Sequence, residues 1–322
     1  MRAIGKLSRY AVAAFAAFGV SGAWAVQTTS NSGLEHKAEE ILVVGRRSGI
    51  PMWRVSSDKT TVVLIGAIDG VTKGTAWDAG SLVEALRMSD RVMFPQMQRV
   101  SASPFAMIGY LAKWRRQAKL PQGQTLKNFL PPEQYQRLIK LQERGLVPKG
   151  VENKHPLHLA FQLRDRTKDK VGYAQSPSQY VMGAIRKHKL NLAPIRQTKA
   201  KALAADLFGG SPSRHIPCLI DAMGLAEAGP AALTARSQAW ANRRVQQALS
   251  SPAEGVYHSC FPADPEAAPE ARAALHAGVK RLLLDPQVTV AVLDLNTLAR
   301  RGGILDDLAA AGYQVKGPAW RT

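Results

Sequence analysis

Cysteine is nearly missing: Cys218 and Cys260 are the only two in 322 residues. No Cys-x-x-Cys occurs, which removes the motif-based case for a redox thiol. Two cysteines allow a single intramolecular pair. In an oxidising compartment that pair reads as a disulfide, and otherwise as two buried free thiols. Catalytic arrays are missing too. The seven histidines include no His-Glu-x-x-His. "GSPS" at Gly210–Ser213 lacks the spacing of a Gly-x-Ser-x-Gly nucleophile elbow. "FGGSPSRH" and "RRGGI" place glycines ahead of expected helices, where exposed N–H groups can hold an anion, but neither is a phosphate-loop signature. Acidic residues are scarce, 24 against 43 lysines and arginines, giving a net charge of +19. Such a chain associates with polyanions, although net charge alone specifies neither fold nor activity. The basic residues are scattered and form no nucleic-acid motif, so no specific nucleic-acid role is expected.

What is present begins with a leader. Met1 to Ala25 carries Arg2, Lys6 and Arg9, then "YAVAAFAAFGV", then Ala23-Trp24-Ala25. This is the three-part layout of a secretory signal peptide cleaved after Ala25, with an uncleaved anchor as the alternative. The apolar run is short for a membrane span. The expected location is the periplasm, with an anionic membrane surface as a more natural counterpart than nucleic acid.

A flexible segment over 26–40 is expected next, and then one domain over 41–322. "ILVV", "MWRV" and "TTVVLIGAI" read as β-segments punctuated by glycine, proline and an "SSDK" turn. The last is apolar on both faces, as in a central strand covered on both sides. Asp78 to Met88 reads as a helix with Asp78 as its cap and Leu82, Ala85 and Leu86 facing the sheet. "RVMF" is a short strand. From about 104 to 249 the pattern turns helical, with segments at Pro104–Lys119, Glu133–Arg144, Pro177–His188, Thr198–Phe208, Ile216–Ala228 and Ala231–Leu249. Pro104–Lys119 ends in Lys113, Arg115, Arg116 and Lys119. Such a basic helix can lie on an anionic membrane, or its charges can complement the helix dipole and face water. The end of the chain returns to a helix at Pro269–Leu284, a strand at Val288–Leu293, a helix at Gly302–Ala311 and the strand "YQVKG". The expected fold is α/β: a central mixed β-sheet formed by both chain ends, flanked by helices, with a helical middle.

Three aspartates stand at or near strand ends. Asp69 follows the most apolar early strand, Asp294 ends the late one, and Asp90 precedes "RVMF". Together they form the one carboxylate set in the sequence that suits a hard divalent ion such as Mg²⁺, Mn²⁺ or Ca²⁺. Each also has a structural reading as a cap or turn residue. His155 and His158 are three apart and can share a helical face, but Pro156 between them marks a helix start. His188, His215, His258 and His276 read as isolated.

The two ends together resemble the TraB/GumN family of exported and membrane-tethered α/β proteins, which includes Tiki-type metalloproteases. The resemblance rests on "MWRVSSDKTTVVLIGAID" at Met52–Asp69, "SLVEALRMSDRVMF" at Ser81–Phe94 and "VTVAVLDLNTLARRGGILDDLAAAGYQV" at Val288–Val315. It implies a metal-dependent hydrolase, yet the departures fall on the positions that would carry that chemistry. The first Gly-x-x-His aligns with Gly66 to Asp69, the strand-end glutamate with Pro95, the mid-chain glutamate with Arg196, and the second histidine with Asn296 or Thr297. Losing both imidazoles removes the donors that bind a zinc-like ion. The expected function is a non-catalytic envelope scaffold that binds a protein, peptide or glycan without a cofactor. The alternative is a hydrolase using a divalent ion at Asp69, Asp90 and Asp294. Oligomeric state is not legible in the sequence.

Overall fold

The computed structural model describes residues 49–94, 104–116, 118–193, 211–260 and 269–321. The leader, the "ILVV" segment, the expected helix over Thr198–Phe208, and the positions Pro95 and Arg196 lie outside the described residues.

The early hairpin forms where the apolar pattern places it. Strand β1 (Met52–Ser56) pairs antiparallel with β2 (Thr61–Ala67), Trp53 opposite Leu64. The turn between them closes through Ser57, whose N–H donates to the Thr60 carbonyl at 2.9 Å and whose hydroxyl accepts from the Thr60 N–H. After β2 come the two-residue strand β3 (Val71–Thr72), helix α1 (Gly80–Arg87) and strand β4 (Arg91–Met93). The Asp78 carboxylate accepts the Gly80 N–H at the head of α1, and Leu82, Ala85 and Leu86 are its buried stripe. The sequence pattern predicts the stripe; the N-cap position itself is Ala79, and Asp78 stands one residue before it.

The middle is helical among the described residues: α2 (Pro104–Arg116), α3 (Pro132–Glu143), α4 (Pro156–Asp169), α5 (Pro177–His188), α6 (Ile216–Ala241), α7 (Val245–Leu249) and α8 (Pro252–Cys260). Two short strands interrupt it, β5 (Tyr173–Ala174), which pairs with β3, and β6 (Asn191–Leu192). Helix α6 breaks at Gly229, which has a φ of +71°, followed by Pro230. Glycine tolerates that φ, and proline lacks the N–H that would continue the ladder. The break falls between the two helices expected from the sequence.

The chain then supplies α9 (Pro269–Leu282), β7 (Thr289–Asp294), α10 (Leu295–Ala299), α11 (Ile304–Ala310) and β8 (Gln314–Lys316). The main sheet has the order β6-β4-β7-β2-β1-β8. Strands β6, β4, β7 and β2 run parallel, whereas β1 is antiparallel to both β2 and β8. The mixed sheet therefore takes five strands from the two ends and its edge strand β6 from the middle. Strand β7 is buried at every position, as a parallel strand covered on both faces should be.

Two apolar cores result. One surrounds the sheet and includes Trp53, Leu64, Val290, Trp240 and Val245. The other lies among the middle helices and includes Leu138, Leu157, Leu163, Leu219 and Met223. Cys218 on α6 and Cys260 on α8 are bridged, with Cα atoms 4.6 Å apart and both residues fully buried in the second core.

Candidate functional site

Strand β4 follows β2 in sequence but leaves a gap beside it, which β7 fills from the far end of the chain. The loops leaving β2 and β7 diverge, and a crevice opens at the carboxyl ends of these parallel strands, where open α/β sheets place ligands. The cleft holds about 150 Å³ and is lined by Ala67, Ile68, Asp69, Gly70, Ser176, Ser178 and Asp294.

Asp69 is held by two cations from the helical middle. Lys168, in the last turn of α4, places its ammonium 2.6 Å from the Asp69 carboxylate. Arg236, in the second half of α6, donates through Nη2 to the Asp69 carbonyl at 2.9 Å. Burial works to raise the Asp69 carboxyl, but the Lys168 charge and hydrogen bond, with Arg236 and Arg164 farther off, outweigh it. The group is held below the ordinary aspartate value. Arg236 is itself buried and balanced by buried Glu254 of α8, Nη1 to Oε2 at 2.9 Å. Gly70 turns the loop at a φ of +87°, and a β-carbon there would lie 2.3 Å from the Tyr173 ring. Burial pushes the Tyr173 phenol up to about 12, and its hydroxyl has no hydrogen-bond partner among the described residues.

Asp294 is the N-cap of α10 and accepts the backbone N–H groups of Asn296 at 2.9 Å and Thr297 at 3.4 Å. Asn296 and Thr297 thus occupy the first turn of a five-residue helix, Thr297 being buried. Gly66 is a packing position. A β-carbon on it would meet Leu295 Cδ1 at 2.6 Å and the Trp53 ring at 3.0 Å, while its carbonyl accepts from Trp240 Nε1 at 2.7 Å. Asp90 is elsewhere. It binds the Val288 N–H at 2.7 Å, at the amino ends of β4 and β7. Six residues of β-strand, roughly 20 Å, separate that level from Asp294. The structure brings Asp69 and Asp294 to one cleft and puts Asp90 at the other end of the sheet.

These donors do not fit a hydrolytic metal ion. Such a site needs about three protein ligands and an open position. Here the Asp69 carboxylate already faces an ammonium ion, and Asp294 already serves backbone amides. Among the described residues no three His, Cys, Asp or Glu side chains come together in a metal-binding group.

The histidines are arranged differently from the expectation. His215 is not isolated: its ring lies 5.4 Å from that of His155, which is 6.3 Å from that of His158. His155 caps α4 by accepting the Leu157 N–H, and Pro156 opens that helix. Burial, then the neighbouring His215 and His158, lowers His155 to about 4; burial also lowers His158, which stacks on Trp114 at 3.7 Å.

Sequence reasoning missed Lys168, Arg236, Glu254 and Tyr173. Lys168 sits in "RDRTKDK", where nothing in the spacing distinguishes it from its basic neighbours. Arg236 interrupts an otherwise small and apolar helix segment, "AALTARSQAW", and a charge on that face was the one legible sign of a buried partner.

The family model described as TraB/PrgY/gumN matches residues 51–317. No curated protein and no solved structure matches the chain.

Proposed function

The chain belongs to the TraB/PrgY/gumN family, and from that premise we propose that it is an exported, non-catalytic scaffold or binding protein of the cell envelope. In this reading the Asp69 carboxylate of the cleft is neutralised by an internal ion pair instead of a metal ion. The observation that carries it is the Lys168 ammonium 2.6 Å from Asp69, a fixed positive charge beside the residue that aligns with the first Gly-x-x-His histidine. An ammonium offers no Lewis acidity and no bound water to deprotonate, so Asp69 keeps charge balance without hydrolytic chemistry. The ligand belongs to the class of envelope proteins, peptides or glycans, which suits a basic chain with a signal-like leader.

Elemental analysis of protein purified without chelator, on the native chain and on Asp69→Ala, tests the reading. We expect less than stoichiometric metal in both and no metal-dependent peptidase activity. Near-stoichiometric Mg, Mn, Ca or a transition metal that disappears in Asp69→Ala would overturn it in favour of a metal-dependent hydrolase.

A further inference from the structure

Helix α2 presents a surface that the cleft does not explain. It is attached on one side through Trp114, whose ring stacks on His158 at 3.7 Å and lies 5.6 Å from Phe161 of α4. Ile108, Ala112 and Arg115 follow at helical spacing on a different face, with Arg116 about 80° round the helix from Ile108, and all four are exposed. Among the exposed large apolar side chains of the described residues, Ile108 is the most exposed, at 66%. Just beyond the helix, exposed Lys119 pairs by a β-bridge with Lys154.

We propose that this face of α2 docks on an anionic lipid bilayer. Cations in the last turn of a helix do complement its dipole. That accounts for Lys113, Arg115 and Arg116, but not for an isoleucine left in water two turns before Arg115 on the same side. An apolar side chain followed by long cationic ones suits the interface of an anionic bilayer, with the isoleucine entering the acyl boundary and the cations remaining at headgroup level. The occupant is a bilayer rather than a folded protein because long cations accompany this isoleucine, and among the residues of α2 whose exposure is described no other large apolar side chain is exposed. A protein partner needs a shaped, desolvated centre, whereas lipids conform to whatever is inserted. The net charge of +19 adds attraction of the same sign.

Co-sedimentation of the full chain with phosphatidylcholine vesicles, with and without a minority of phosphatidylglycerol, reads this directly. Each cation near such a surface is worth roughly fivefold in binding. The native chain is expected to require phosphatidylglycerol, Arg115→Glu/Arg116→Glu to bind at least about tenfold more weakly, and Ile108→Ser severalfold more weakly. Both variants alter exposed positions, and unchanged circular dichroism would show that they fold. The proposal is overturned if the native chain ignores phosphatidylglycerol or if both variants bind as the native chain does. It is also overturned if Ile108→Ser binds normally while duplex DNA is held as tightly as vesicles, since α2 would then be a general polyanion contact.

Discussion

The sheet and the helical middle achieve stability by different means, and the difference shows where the site came from. The sheet core is assembled from chain ends that are distant in sequence, with β2 and β7 paired through six successive residues and buried almost throughout. Its elements are apolar enough to find one another. The middle has its own core and a covalent bridge. Helix α6 joins the two: its first half lies in the middle core, and after the Gly229–Pro230 break its second half brings Trp240 to the sheet. The cleft lies on this joint. The sheet supplies Asp69 and Asp294, while the middle supplies the cations that determine what Asp69 can do.

The strongest way to break the joint is to remove Arg236. Arg236→Met leaves Glu254 buried without its cation and the Asp69 carbonyl without its donor. Breaking a buried pair from one side costs roughly 3–5 kcal/mol. Chemical denaturation should show this loss, and the double variant Arg236→Met/Glu254→Gln should recover part of it. Full additivity of the two substitutions would mean that Arg236 and Glu254 do not act as a pair.

Next in size is the disulfide. Cys218 and Cys260 are 42 residues apart, and closing a loop of that length contributes up to about 4 kcal/mol through the unfolded chain. Cys218→Ser/Cys260→Ser should lower the unfolding midpoint and expose the middle helices to protease before β2 and β7. Simultaneous cleavage in both regions would show that they unfold as one unit.

The smallest effect separates the two regions by pH. His155 titrates near 4 when folded and at the ordinary 6.5 when unfolded. Between those values the unfolded chain takes up a proton that the folded chain refuses. Its contribution is therefore complete above pH 6.5 and is lost as pH falls toward 4. Asp69 is shifted in the same direction but from a lower ordinary value: its stabilisation is present above 3.8 and is lost only below that. Stability measured from pH 7 to 4 should decline, and His155→Asn, which can still accept the Leu157 N–H, should flatten the decline. An unchanged slope would remove His155 as its source.

Much of the framework was legible. "TTVVLIGAI" is too uniformly apolar to be anything but a covered strand, Gly229–Pro230 can only break a helix, and Leu82, Ala85 and Leu86 mark the buried stripe of α1. The place of Asp69 and Asp294 at strand ends was legible as well, and the structure brings both to one cleft. Less legible were α4 beyond its Pro156 start, α8, and the edge strand β6. The two-residue β6 is too short for any period to register, and it exists because β4 leaves a parallel edge open beside it.

The sequence by itself therefore determined the elements that depend on local pattern: apolar runs, caps, breaks, and which side chains stand at the strand ends. Tertiary structure alone decided their company. Lys168 reaches Asp69 across 99 residues, Arg236 reaches it across 167, and His215 joins His155 only because the start of α6 packs beside α4. Periodicity records which face of an element is apolar and carries no information about which distant charge that face will meet. Ionic partners are fixed by packing, once burial has made an unpaired charge too costly to keep.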